Sequence, residues 1–140
     1  MGFDVEKKEA LIFDGGNKTF STTLLSHIGN AVVAVLSKPE ETANQFIFVH
    51  SFTTTQNEIL AVAEKATGAK WKVTEQTTAA ALAEGEPLFK KGDYSGLFSL
   101  LRVITFGDGY GSAFEKEAVE GNKMLDLESQ DVEETVKALV

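Results

Sequence analysis

At 140 residues and 43% hydrophobic content, the chain is long enough for one compact core and too short for two. A formal net charge of −8 with a single arginine, Arg102, argues against a nucleic-acid partner, which needs clustered cations. Without cysteine there are no disulfides, thiolate zinc sites or thiol nucleophiles; with His27 and His50 the only histidines, no metal is expected.

The opening MGFDVEKKEA lacks the apolar core of a signal peptide, and no apolar run is long enough to span a bilayer. Glu6 stands where a myristoylation motif wants Ser or Thr. The expectation is a cytoplasmic protein with no membrane partner.

Residues 1–9 read as a charged arm. Ala10–Phe13 reads as a strand that stops at Asp14-Gly15-Gly16-Asn17, four residues suited to a turn. Ser21, Thr22 or Thr23 then caps a helix carrying Leu24, Leu25, Ile28, Val32, Val35 and Leu36, a spacing that predicts one broad buried face. Lys38-Pro39 ends it, because the residue before proline avoids helical geometry. Residues 45–49, QFIFV, show no polar alternation after Gln45 and predict a strand covered on both faces, as inside a parallel sheet.

His50-Ser51-Phe52 connects that strand to Thr53-Thr54-Thr55-Gln56, which fits a capping box with Thr53 as the cap. The helix that follows carries Ile59, Leu60, Val62 and Ala63 and ends at Gly68. Residues 70–75 alternate like a half-exposed strand, and Thr77 or Thr78 caps a small-residue helix that Gly85 and Pro87 weaken and end. Residues 88–106 have apolar spacing that fits a helix, broken by the three glycines of Gly107-Asp108-Gly109-Tyr110-Gly111. Residues 114–121 suit a loop or short helix, 122–127 a brief strand or packed segment, and Ser129 caps a final helix over 130–140. The expected fold is α/β (α+β): one domain over 1–140 with about four to six helices and a few short strands.

Both glycine runs fail as phosphate sites. Residues 14–17 have a strand before them and a helix after, but neither run has the G-x-G-x-x-G spacing, and no P-loop Lys-Ser or Lys-Thr pair is present. His50, expected at the C-terminal end of a buried strand where α/β folds place ligands, is a candidate general base, with Ser51 and Thr53–Thr55 as hydrogen-bonding groups. The plainer reading is a histidine bonded to nearby backbone, with the threonines acting only as caps. His27 suits packing. Asp108, Tyr110 and Glu115 either supply an acid and a phenol or decorate a surface turn. Tyr94, Phe98, Leu101 and Phe106 either line an apolar pocket or serve as core or interface.

Three pieces together carry a family resemblance: FDGGNKTFSTTLLSHIGNAVVAVL (13–36), NQFIFVHSFTTTQNEILAVAEKATG (44–68), and NKMLDL followed by a terminal helix (122–140). They resemble the C-terminal half of NmrA-like, isoflavone-reductase-like proteins, and GDGYGSAF (107–114) is similar to the fungal branch. In that family a Rossmann half carries the NADP fingerprint and the catalytic lysine; neither has a counterpart here. The resemblance therefore implies a substrate-side half with no cofactor of its own, whose strand at 45–49 would complete a Rossmann sheet. Standing free, such a half would hide its apolar surface and unpaired edge in a symmetric homodimer.

The implied function is a cofactor-independent enzyme of isomerase, cyclase or dehydratase type acting on an apolar or aromatic secondary metabolite. His50, Asp108 and Tyr110 would be its catalytic groups, and Ser51, Phe52, Tyr94, Phe98, Leu101 and Phe106 its substrate contacts. The alternatives are a non-catalytic NmrA-like binding or regulatory module and an inactive truncated reductase. What separates them is whether the apolar pocket contains converging titratable groups.

Overall fold

Residues 2–140 are described in a computed structural model. Among them lie five short strands, β1 (Phe3–Asp4), β2 (Glu9–Phe13), β3 (Phe20–Thr22), β4 (Phe52–Thr54) and β5 (Lys72–Gln76). Seven helices accompany them: α1 (Leu25–Ser37), α2 (Pro39–Thr42), α3 (Gln56–Thr67), α4 (Thr78–Lys90), α5 (Gly96–Phe106), α6 (Glu115–Met124) and α7 (Val132–Lys137). The architecture is the expected small α/β domain. No helix among the described residues is long and apolar enough to cross a membrane.

β2 is the centre. One sheet runs β1-β2-β5, with β1 antiparallel and β5 parallel to β2; β3 and β4 form a separate antiparallel pair. Because alternate strand residues point to opposite faces, EALIF feeds two cores at once. Ala10 and Ile12 pack with Ala63, Trp71 and Val136 beneath α3 and α7. Phe13 packs with Phe20, Ala81, Val103 and Phe106 beneath α4 and α5. Phe106 stacks on Phe13 with centroids 5.3 Å apart and meets Phe20 edge-on at the same distance, offset from the face-to-face sandwich that aromatic quadrupoles disfavour.

Since β1 pairs with only two β2 residues, the end of β2 needs another partner. Gln56 supplies it. Its Oε1 accepts from Phe13 N at 2.8 Å and its Nε2 donates to Leu11 O at 2.9 Å, so a side-chain amide extends the ladder where no strand is present. This side chain is 1% exposed.

Several expectations change. Residues 45–49 form no strand, and Phe46 is 99% exposed: the strand covered on both faces is β2, and among the described residues no strand offers 45–49 a ladder. Ser21 and Thr22 belong to β3, and α1 begins after Leu24, whose N–H is held by Ser51 Oγ at 3.0 Å, so a distant hydroxyl replaces the expected cap. The buried side of α1 is the narrow strip at His27 and Ala31, while Leu25, Val32 and Leu36 are 87%, 53% and 74% exposed.

The cap of α3 is Thr55, accepting from Glu58 N, rather than Thr53, which pairs within β4. Gly85 and Pro87 do not end α4. Gly85 is buried against α5, and the expected continuous helix over 88–106 breaks at 91–95. Residues 115–124 form a full helix that takes in Asn122 and leaves no strand there, and Asp131 rather than Ser129 caps α7. Thr77 caps α4 and Gly68 ends α3 at φ 62°, both as the residue types predict.

α4 and α5 meet through glycine. A Cβ at Gly85 would lie 2.8 Å from Gly96 O, and one at Gly96 would collide with Gly85 O. Gly96→Ala is expected to lower unfolding free energy by about 1–2 kcal/mol despite alanine's better helix propensity, because the clash is with backbone. Gln56→Leu is expected to cost about 2–4 kcal/mol, since Phe13 N and Leu11 O both stay buried and unpaired. Urea unfolding followed by circular dichroism measures both.

Candidate functional site

Two regions have the makings of a site. The first is polar and centres on His50, which is buried in the extended segment before β4. Asn122, on the last turns of α6, clamps this residue's backbone: its Oδ1 faces His50 N at 3.4 Å and its Nδ2 donates to His50 O at 2.8 Å. The same Oδ1 lies 3.4 Å from His27 Nε2. α6 comes this close because of Gly121, where a Cβ would strike Phe48 O. The His50 ring reaches Thr53 Oγ1 through Nδ1 at 3.4 Å; Thr53 and Ser21 hydroxyls are 2.9 Å apart, and Ser21 Oγ accepts from Phe114 N at 3.1 Å. Burial pushes the imidazole pKa below its usual value, with Glu115 pulling the other way and His27 adding to the depression.

The second region is apolar. β1, β3, β4, α3, α7 and the residue before β5 line a half-open cavity of about 330 Å3, whose walls include Phe3, Phe52, Ala63, Trp71, Val136 and Leu139. The hydroxyls of Thr22 and Thr135 are the polar side chains among linings that are otherwise hydrophobic, and none of the lining residues titrates near neutrality. Trp71 is held by its neighbours: Nε1 donates to Thr67 Oγ1 at 3.2 Å, its backbone N–H donates to Glu64 Oε1 at 3.0 Å, and Phe3 meets the indole edge-on.

The sequence candidates are dispersed between these regions and the surface. Asp108 is exposed and paired with Lys18, which holds its carboxyl below the usual range and so keeps it ionised rather than proton-donating at neutral pH. Tyr110 is 51% exposed beside Gly107. Among the described residues no hydrogen bond joins His50 to Asp108 or Tyr110. Ser51 is buried, its hydroxyl occupied by Leu24 N. Phe52 lines the apolar cavity, Phe106 is core, and Tyr94, Phe98 and Leu101 lie on the exposed side of the α4–α5 pair. Two residues escape the sequence reading: Trp71 stands in the alternating 70–75 stretch, which predicts a half-exposed strand position rather than a cavity wall, and Asn122 is an isolated amide with no periodic signal.

The Asp14–Asn17 turn does not suit a nucleotide phosphate. It is followed by β3 rather than a helix, so no row of free helical N–H groups faces it. Asp14 places a carboxylate there, bound to Thr78 N and Oγ1, and Asn57 Nδ2 occupies Gly15 O and Asn17 Oδ1.

No family model matches the chain. It is 36% identical over 109 residues to oxidoreductase poxI of Penicillium oxalicum, a match covering 78% of this chain and 35% of that protein. It is 29% identical over 144 residues to oxidoreductase aprR of Aspergillus flavus, covering 100% of this chain and 47% of that protein. The chain thus spans between about a third and a half of the length of the curated relatives it matches, and it is similar to part of each of two fungal oxidoreductases.

The His50 shift sets a pH dependence. Its folded pKa lies below the ordinary 6.5, so on acidification the unfolded chain takes up the proton first. The contribution is complete above about pH 6.5 and is lost as pH falls toward the folded value. Denaturant midpoints are expected to decline from pH 8 to about 5.5, with the decline flattened in His50→Gln.

Proposed function

We propose that this chain is the substrate-side part of an oxidoreductase-type protein, binding an apolar or aromatic small molecule between Phe52 and Trp71. The observation that carries this reading is the cavity itself: about 330 Å3, aromatic and aliphatic walls, two hydroxyls to orient a ligand and no titratable side chain. Its similarity to parts of two named oxidoreductases supports the same assignment. The residues present supply binding and exclusion of water rather than proton transfer, which favours a binding unit, related to NmrA-like proteins, without NADP-dependent reductase activity of its own.

A second reading, an isomerase, cyclase or dehydratase, rests on His50. A buried imidazole with a depressed pKa stays neutral at physiological pH and can act as a base, and Thr53 and Ser21 are within reach to orient it. In that reading Asp108 and Tyr110 act only after rearrangement, since neither is bonded to His50. His50→Gln would then abolish turnover of a substrate that still binds.

The exposed apolar faces favour a symmetric homodimer. Leu25 and Leu36 on α1 are 87% and 74% exposed and Phe46, beyond α2, is 99% exposed, and a second copy would cover such side chains isologously. Native mass spectrometry is expected to give a dimer that Leu25→Glu with Leu36→Glu converts to monomer; a wild-type monomer refutes it.

Trp71 is the only tryptophan, so the ligand assignment has a built-in reporter. Titration with 4-nitrotoluene, an apolar quencher, is expected to quench its fluorescence saturably. Ala63→Phe, which fills the cavity from α3, should leave only weak linear collisional quenching. Equal linear quenching in both proteins would refute the site.

A further inference from the structure

α7 turns one stripe of side chains toward α3. Val132, Thr135 and Val136, continued by Leu139 just past the helix, recur at three- and four-residue spacing, and Thr135 is the polar member. Val132 and Val136 pack into the core beneath α3, and Thr135, Val136 and Leu139 line the apolar cavity beside Trp71. A hydroxyl therefore stands where the spacing calls for a hydrophobic side chain.

That hydroxyl has no partner in the fold. The other threonines of the described helices all find an acceptor: Thr42, Thr67 and Thr105 donate to the carbonyl four residues back, at 2.9, 2.7 and 2.8 Å, and Thr78 donates to Asp14 Oδ2 at 2.5 Å. Thr135 has the same option in Asp131 O, which takes its backbone N–H at 3.0 Å, yet Thr135 Oγ1 makes no hydrogen bond among the described residues. Thr135 also stands at a border. Leu24, Thr135 and Leu139 line both the cavity and an adjoining cleft of about 500 Å3, whose lining continues with Ser129, Gln130, Asp131 and Glu134. Thr22, the cavity's other hydroxyl, lies on β3 opposite Phe52 and does not line that cleft.

We propose that the cavity selects an uncharged aromatic alcohol or ketone, its ring toward Trp71 and its oxygen accepting from Thr135 Oγ1 at the border with the cleft. This assignment rests on the reading of the cavity as a ligand site and adds the ligand's chemical class and orientation. A hydrocarbon would leave the hydroxyl unpaired, and a site that hydrogen-bonds an oxygen discriminates against the analogue lacking it. A charged head of either sign would give up its hydration among uncharged side chains, and an anion would also meet Asp131 and Glu134 beyond Thr135.

The test reads the fluorescence of Trp71, the only tryptophan, in the full chain at neutral pH. The quenchers are 4-nitrotoluene, 4-nitrobenzyl alcohol, 4-nitrobenzylamine and 4-nitrobenzoate. The first two are expected to quench saturably, and the two ions only linearly. Thr135→Val keeps the shape and removes the hydroxyl; it is expected to weaken the alcohol about fivefold and to leave 4-nitrotoluene within about twofold. Thr135→Ser, which keeps the hydroxyl, is expected to retain the alcohol. A merely structural role for Thr135 would move both ligands together. An alcohol affinity unchanged in Thr135→Val, equal weakening of both ligands, a loss in Thr22→Val instead, or an ion that binds as tightly as the alcohol would each overturn the proposal. If 4-nitrotoluene itself fails to saturate, the cavity reading falls as well; if it saturates while the alcohol ignores Thr135, the class and orientation fall alone.

Discussion

Everything in this domain depends on one five-residue strand being satisfied on all four sides. β2 is buried above and below by two different side-chain sets and paired along one edge by β5. Its other edge is closed by a two-residue strand and then by the amide of Gln56. A buried peptide group without a partner is costly, and the side-chain amide has the same donor and acceptor as the peptide it replaces. Placing that amide requires α3 to start where it does, which in turn sets β4 against β3 and brings His50 and Ser51 into the interior. The apolar cavity lies beneath the same helix, with Ala63 as part of its wall.

Close approach is the second constraint. Gly85 and Gly96 let α4 and α5 touch backbone to backbone, and Gly121 lets α6 lie on the segment before His50. Asn122 is thereby placed to bond the backbone of one histidine and the ring of the other. That single side chain ties the two imidazoles together, while the His50 ring also reaches the Thr53 hydroxyl.

The functional reading follows from which groups stand near which space. The cavity beside Trp71 has no acid or base side chain in its lining; around His50 there is a base and no described cavity. A fold that separates volume from chemistry in this way is suited to holding molecules. The exposed apolar side chains of α1, and Phe46 beyond α2, leave hydrophobic stabilisation that the isolated chain does not use.

Local chemistry was legible in the sequence. A cap at Thr77 or Thr78, Gly68 as a left-handed terminator, the turn at Asp14–Asn17, the half-exposed strand expected over 70–75 and found at 72–76, and the small α/β class all follow from short-range sterics and hydrogen bonding, which neighbours in the chain decide. His50 as an interior residue was also within reach. The rest was not, because it depends on partners distant in sequence. QFIFV has the composition of a buried strand, yet a strand exists only where another offers it a ladder, and here none does. The apolar stripe of α1 predicts burial, but a stripe does not say whether anything covers it. Gln56 as a surrogate strand lies 43 residues from Phe13, and Asn122 as a bridge lies 72 from His50. Residue type determined what each segment was able to do; the tertiary structure decided which partner each one met, because burial and pairing belong to two surfaces and the sequence lists only one at a time.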